Sequence, residues 1–136
     1  MDKVNKTVSE RIVIKSDLDI VTARLRAREV ARAMGFGTID QARISLAASE
    51  LARILALKIN TPGEILIAGV NTPEHVGIQV TSIDTSDEKL LEADGQVTQA
   101  SQHDSALTNA LALVDEGLVE EVGAKNVRVT LMKWLA

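Results

Sequence analysis

Gly35-Phe36-Gly37-Thr38-Ile39-Asp40-Gln41-Ala42-Arg43-Ile44-Ser45-Leu46-Ala47-Ala48-Ser49-Glu50-Leu51-Ala52-Arg53-Ile54-Leu55-Ala56-Leu57-Lys58 is the stretch whose reading decides the fold. Thr38 followed by Gln41 has the pattern of a capping box, and Asp40 suits the positive first turn of a helix. Ile44, Ala47, Leu51 and Ile54 recur at 3-4-3 spacing and make one apolar stripe. The spacing predicts a helix from Thr38 to about Lys58. The glycines before it mark the end of another helix, because Gly tolerates the left-handed backbone that helix C-termini often use.

That earlier helix begins at Ser16, where Asp19 makes a second box-like start. It carries Ile20, Ala23, Ala27, Val30 and Met34 on one face. Before it, Ser9 to Lys15 reads as a short strand with Ile12 and Ile14 on one side. After the central helix, Asn60-Thr61-Pro62-Gly63 is a turn, Glu64 to Val70 a central strand, and Asn71-Thr72-Pro73-Glu74 another turn. His75 to Ile83 alternates, with Val76, Ile78 and Val80 on one face, so the two strands are expected to form a hairpin. Residues 84–103 are polar and little organised. A third helix is expected from Asp104 or Ser105, with Leu107, Leu111 and Val114 on one side. Leu118 to Val122 reads as a short strand, a turn follows near Gly123, and Asn126 to Leu135 is a last strand with Val127, Val129 and Leu131 facing one way. The order predicts an α+β two-layer sandwich: a mixed, largely antiparallel sheet of about five strands covered on one face by three helices.

The 136 residues suit a single domain, 1–136, with residues 1–8 expected to be a flexible tail. No cysteine is present, which excludes disulfides, thiolate nucleophiles and Cys-based zinc sites and fits a reducing compartment. Met1 to Glu10 has no apolar signal core, and no apolar run approaches the ~18 residues of a membrane span, so a cytoplasmic location without membrane contact is expected. The net charge of −4 argues against broad nucleic-acid binding, and Phe36 and Trp134 are too few for base stacking. His75 and His103 have no ligand spacing, so no metal site is expected from them.

Three stretches carry a family likeness: Asp17-Leu18-Asp19-Ile20-Val21-Thr22-Ala23-Arg24, the segment Gly35 to Ile44 with Ser49-Glu50-Leu51-Ala52-Arg53, and Met132-Lys133-Trp134-Leu135. Together they resemble the RsbT-type serine/threonine kinases, the anti-sigma regulatory and switch-kinase branch of the GHKL (Bergerat-fold, histidine-kinase-like) ATPases. The resemblance implies a Bergerat-type sandwich and three chemical boxes. In the first, a helical Glu polarises the attacking group and an Asn four residues on holds magnesium. Here Glu50 matches, whereas Ile54 stands at the Asn position and offers no lone pair to a cation that demands oxygen. In the second, an Asp-x-Gly-x-Gly turn binds adenine. Asp84 matches, whereas Ser86 and Glu88 replace the glycines. In the third, a glycine-rich lid wraps phosphate with backbone N–H groups. Its glycines fall on residues such as Ala106 and Asn109, and Gln96 to Asn109 contains no glycine.

Each signal has a plainer reading. Glu50 is either the family's general base or a solvated or hydrogen-bonded, vestigial helix glutamate, and Ile54 beside it favours the latter. Asp84 either binds adenine or caps the turn after its strand; both readings stay open. Arg24, Arg28 and Arg32 form an i, i+4, i+8 row that reads first as a solvated face, with docking of an acidic partner as the alternative. Leu118, Val119 and the last strand either pack in the core, the stronger expectation, or form an edge open to a partner.

With three boxes altered at once, each commonly worth several kcal/mol, roughly hundredfold or larger losses of turnover are expected from any one. The sequence is therefore read as a catalytically degenerate pseudokinase that binds proteins in bacterial partner-switching stress signalling. The resemblance implies STAS-domain antagonists or scaffolds and the regulatory regions of PP2C-type phosphatases as partners. The helix faces around Arg24–Arg32 and the degenerate lid, Gly95–Ser105, are the candidate contact surfaces. No cofactor is expected. The alternative is a divergent kinase that uses ATP and magnesium to phosphorylate a STAS-domain protein. A second alternative is a structural oligomer subunit, possible as a homodimer.

Overall fold

A computed structural model describes residues 9–56, 63–84, 105–121 and 127–135. Strand β1 (Ser9–Ile14) leads into helices α1 (Asp17–Ala33) and α2 (Thr38–Ala56). Strands β2 (Gly63–Asn71) and β3 (Val76–Asp84) follow, then a helical segment α3 (105–112), and last β4 (Glu116–Glu121) and β5 (Val127–Trp134). The strands form one sheet in the order β1-β2-β3-β5-β4. Every pairing in it is antiparallel, so the expected mixed sheet is corrected to an antiparallel one among the described residues. The last strands pair as a β4–β5 hairpin, which sets β4 outside β5 and leaves it no parallel neighbour.

The register puts Ile12 opposite Ile65, Ile67 opposite Val80, and Val80 opposite Leu131. Directly paired residues share a face, so these side chains form one apolar sheet surface. Ala23, Ala27 and Val30 of α1 and Ile44, Ala47 and Leu51 of α2 are buried in the same core. The many alanines let the two helices approach closely, and α1 with α2 is the most extensive helix contact of the fold. The central turn, Thr72–His75, is closed by Thr72, whose N–H donates to the His75 carbonyl at 2.8 Å, and the β2–β3 hairpin forms as expected.

The helix ends follow the local chemistry, with one change. The Asp19 carboxylate accepts from the N–H groups of Ser16 (3.0 Å) and Lys15 (2.8 Å) at the start of α1. At its end Gly35 has φ +97°, the Gly35 N–H donates to Arg32 O and the Phe36 N–H to Ala31 O: a Schellman closure, with Phe36 buried behind it. The expected cap at Thr38 is displaced by one residue. The Gln41 N–H donates to Gly37 O at 2.9 Å, so Gly37 caps α2, and the Gln41 side-chain amide donates to Phe36 O at 2.8 Å. Gln41 thus ties the new helix to the closing turn of the old one, where the positive-φ reversal leaves the Phe36 carbonyl without a helical donor.

Two further expectations change. In α3 the buried residues are Ala106 and Ala110, with Leu107 partly covered and Val114 beyond the helix; Leu111 is exposed. Leu111 is drawn instead over Gly117, where a β-carbon would collide with its methyl group. Leu118 and Val119 do not pack in the core: they stand 55% and 47% exposed on β4, the outermost strand. The predicted end of α2 at Lys58, the turn at 60–62, the tail 1–8, His103 and the turn near Gly123 lie outside the described residues.

Candidate functional site

Glu50 sits late in α2, one turn before Ile54, on a helix whose inner stripe is anchored by Ile44, Ala47 and Leu51. Its side chain is only 19% exposed, and Oε1 lies 3.7 Å from Nε of Arg53, itself on the surface. That is a long, solvent-screened contact between neighbours one turn apart, and it contributes little to stability. Ile54 is partly buried and packs against the core.

Asp84 is the last residue of β3, and its register partner is Gly63, the first residue of β2. A β-carbon on Gly63 would stand 2.6 Å from Leu55 Cδ2 and 2.9 Å from the Ile83 carbonyl. Leu55 therefore fills the space above the paired ends of β2 and β3. The fold thus brings the last turn of α2, which holds Ile54 and Leu55, to the end of the sheet that carries Asp84. Two of the sequence candidates, far apart in the chain, share one end of the sandwich. Ala106 is buried on α3, while Asn109 is exposed. Ser86 and Glu88, and most of the glycine-free segment, lie outside the described residues. Arg24, Arg28 and Arg32 are exposed along α1, away from the stripe that packs it down. Among the described residues no three His, Asp or Glu side chains gather to hold a metal ion, and no helix is long and apolar enough to cross a membrane.

A charged cluster that the sequence reading did not single out lies at the end of β5. Lys133 Nζ is 3.2 Å from Asp115 Oδ1 and 3.7 Å from Asp40 Oδ1, and its side chain is only 12% exposed. Asp115 Oδ2 accepts the Trp134 backbone N–H at 2.7 Å, and Trp134 Nε1–H donates to Glu116 Oε2 at 2.8 Å. Arg43 closes the cluster through Asp40 at 3.0 Å. The Trp134 N–H, foremost, and then the charges of Lys133 and Arg43 hold the Asp115 carboxyl below its usual range, against an opposing push from burial. A signal for this cluster was present. Strand alternation places Lys133 on the same side as Val129 and Leu131, and a lysine on a core-facing position requires carboxylates near it.

An antiparallel five-stranded sheet with helices packed against it is consistent with the GHKL class of ATPase-like domains. A scan against models of known protein families finds no match. The chain is 34% identical over 126 residues to the serine/threonine-protein kinase RsbT of Bacillus subtilis (strain 168), an alignment covering 90% of this chain and 93% of that protein. The chain therefore belongs to the RsbT family of serine/threonine-protein kinases, within the GHKL superfamily.

Proposed function

We propose that this chain works as an RsbT-type switch protein that binds its partners without transferring phosphate. One observation carries the reading: Ile54, at the position where the resemblance places the magnesium ligand, offers only carbon and is packed against the core. A magnesium–nucleotide complex demands oxygen ligands, and the donor set here does not fit it. Leu55 above Gly63 and Ile83 adds apolar bulk at the same end. The sequence supports the reading further through Ser86 and Glu88 in place of glycines and the absence of glycine from Gln96 to Asn109. The partners are then proteins of the classes the resemblance implies, STAS-domain antagonists or scaffolds and PP2C-type phosphatase regulatory regions, met in the cytoplasm by one domain.

The second reading is an active, divergent kinase, and a specific observation favours it. The relative is named a kinase, and Glu50 keeps its carboxylate on the helix at the family's general-base position. Two measurements separate the readings. Calorimetry of the pure chain with ATP and magnesium is expected to show no binding in the micromolar range. Transfer of labelled phosphate to a STAS-domain protein, lost on Glu50→Ala, would establish the kinase and end the first reading.

A further inference from the structure

The chain has eight arginines, all among the described residues. Arg11, Arg26, Arg43, Arg53 and Arg128 each face a carboxylate within ion-pair distance. The three that face none among the described residues are Arg24, Arg28 and Arg32, and they stand in one row on α1. In a protein of net charge −4 this is a segregated basic strip, not a sample of an average surface.

The strip borders apolar surface. Leu18, Val21 and Leu25 are 71%, 37% and 52% exposed. Their 3-4 spacing puts them on the solvent side of α1, opposite Ala23, Ala27 and Val30. At 1.5 Å of rise per residue, the arginines advance about 6 Å at each step and span about 12 Å. A helix lying along α1 presents carboxylates at i and i+4 with the same advance, so each could meet one guanidinium while an apolar ridge covers Leu18, Val21 and Leu25.

We infer that the solvent face of α1 is a docking surface for an acidic amphipathic helix of a partner protein, with Arg24, Arg28 and Arg32 reading its carboxylates and Leu18, Val21 and Leu25 seating its apolar ridge. The inference deepens the partner-binding reading and rests on it. Charge complementarity selects this occupant. An anionic membrane would need a deeper apolar face to insert, and the larger apolar face of α1 is already buried against α2 and the sheet. The exposed Glu29 follows Arg28 and is the i,i+3 neighbour of Arg32, so it trims the positive strip at its C-terminal end and helps set the direction in which a partner can lie.

The probe is a synthetic helical peptide with a leucine ridge flanked by glutamates at i and i+4, beside a control in which lysines replace the glutamates. Each is titrated into the full-length, isotope-labelled chain and followed by NMR. The acidic peptide is expected to shift amide signals along Leu18–Arg32 and the control to shift none. Arg24→Glu with Arg28→Glu and Arg32→Glu is expected to weaken binding about tenfold or more, and Leu25→Ser to weaken it separately. Added salt should weaken binding to the unaltered chain and have little effect on the arginine variant. Should the triple reversal disturb folding by circular dichroism, the triple Gln variant answers the same question. No binding, binding indifferent to the arginines, or shifts centred elsewhere would overturn the inference. So would arginine-dependent binding to phosphatidylserine vesicles, or arginine-dependent self-association in sedimentation, with the peptide inert. Such an outcome with phosphoryl transfer still absent would remove this surface alone and leave the proposed function standing.

Discussion

Lys133 and Asp115 form an ion pair at the rim of the core: Nζ lies 3.2 Å from Oδ1, from a lysine on the helix-facing side of β5 to an aspartate at the start of the β4–β5 hairpin. The same carboxylate accepts the Trp134 N–H, so removing it strands that donor and leaves Lys133 only its longer contact, 3.7 Å, with Asp40. Asp115→Ala is expected to cost about 1–3 kcal/mol, whereas Asp115→Asn, which keeps an acceptor for the N–H, costs less. The folded carboxyl titrates below the unfolded value of 3.8. Its contribution is therefore fully present above that value and lost as pH falls through the folded pKa. Urea midpoints measured between about pH 6 and about pH 3 should show a shallower acid loss in Asp115→Asn than in the unaltered chain.

Gly77 and Trp134 are register partners, and a β-carbon at Gly77 would meet Trp134 Cε3 at 2.7 Å and the Lys133 carbonyl at 2.6 Å. Backbone cannot move aside cheaply. Gly77→Ala is expected to destabilise by about 1–3 kcal/mol. Trp134 is the single tryptophan, so its fluorescence and near-ultraviolet dichroism should change with the substitution. Gly117→Ala meets the end of the exposed Leu111 side chain, which can swing away, and should cost well under half as much.

Gly35 holds φ at +97° to close α1. Gly35→Ala is expected to lower stability by about 1–2 kcal/mol, and Gly35→Asn by less, since Asn tolerates the left-handed region. Thermal melts of the three chains would rank Gly above Asn above Ala. An unchanged melt for Ala would mean that the turn at Gly35 relaxes.

Ile54→Asn tests the closed end of the sandwich. It places an amide against apolar neighbours and is expected to destabilise by about 1–3 kcal/mol without conferring magnesium-dependent ATP binding in calorimetry. A measurable gain in affinity would count against the apolar closure around Leu55 and Gly63. Glu50→Gln should leave stability within about 0.5 kcal/mol, because the Arg53 contact is long and its guanidinium is exposed.

The two amphipathic helices, the Gly-Phe-Gly break between them and the β2–β3 hairpin were legible because each is written in short-range chemistry: stripe spacing, caps, a glycine where the backbone must reverse, a Thr-Pro turn. Glu50 and Ile54 could be placed one turn apart on one helix for the same reason. The precise cap of α2 was not, because Gln41 answers to the Phe36 carbonyl, and that carbonyl is free only once the Schellman turn has formed. Of the row expected on the third helix, Leu107 and Val114 do pack against the core, whereas Leu111 is exposed and the fully buried positions are Ala106 and Ala110.

By itself, then, the sequence determined the helices, most strand positions, the ancestry carried by Gly35 to Arg53 and the altered residue at Ile54, all of which depend on neighbours within a turn or two. The tertiary structure alone decided that β4 is the outer strand with Leu118 and Val119 open, that Lys133 lies between Asp115 and Asp40, and that Arg24, Arg28 and Arg32 lack a carboxylate among the described residues. These outcomes rest on pairings between segments far apart in the chain. Register, burial and charge partners of that kind exist only after the sheet has closed over its helices.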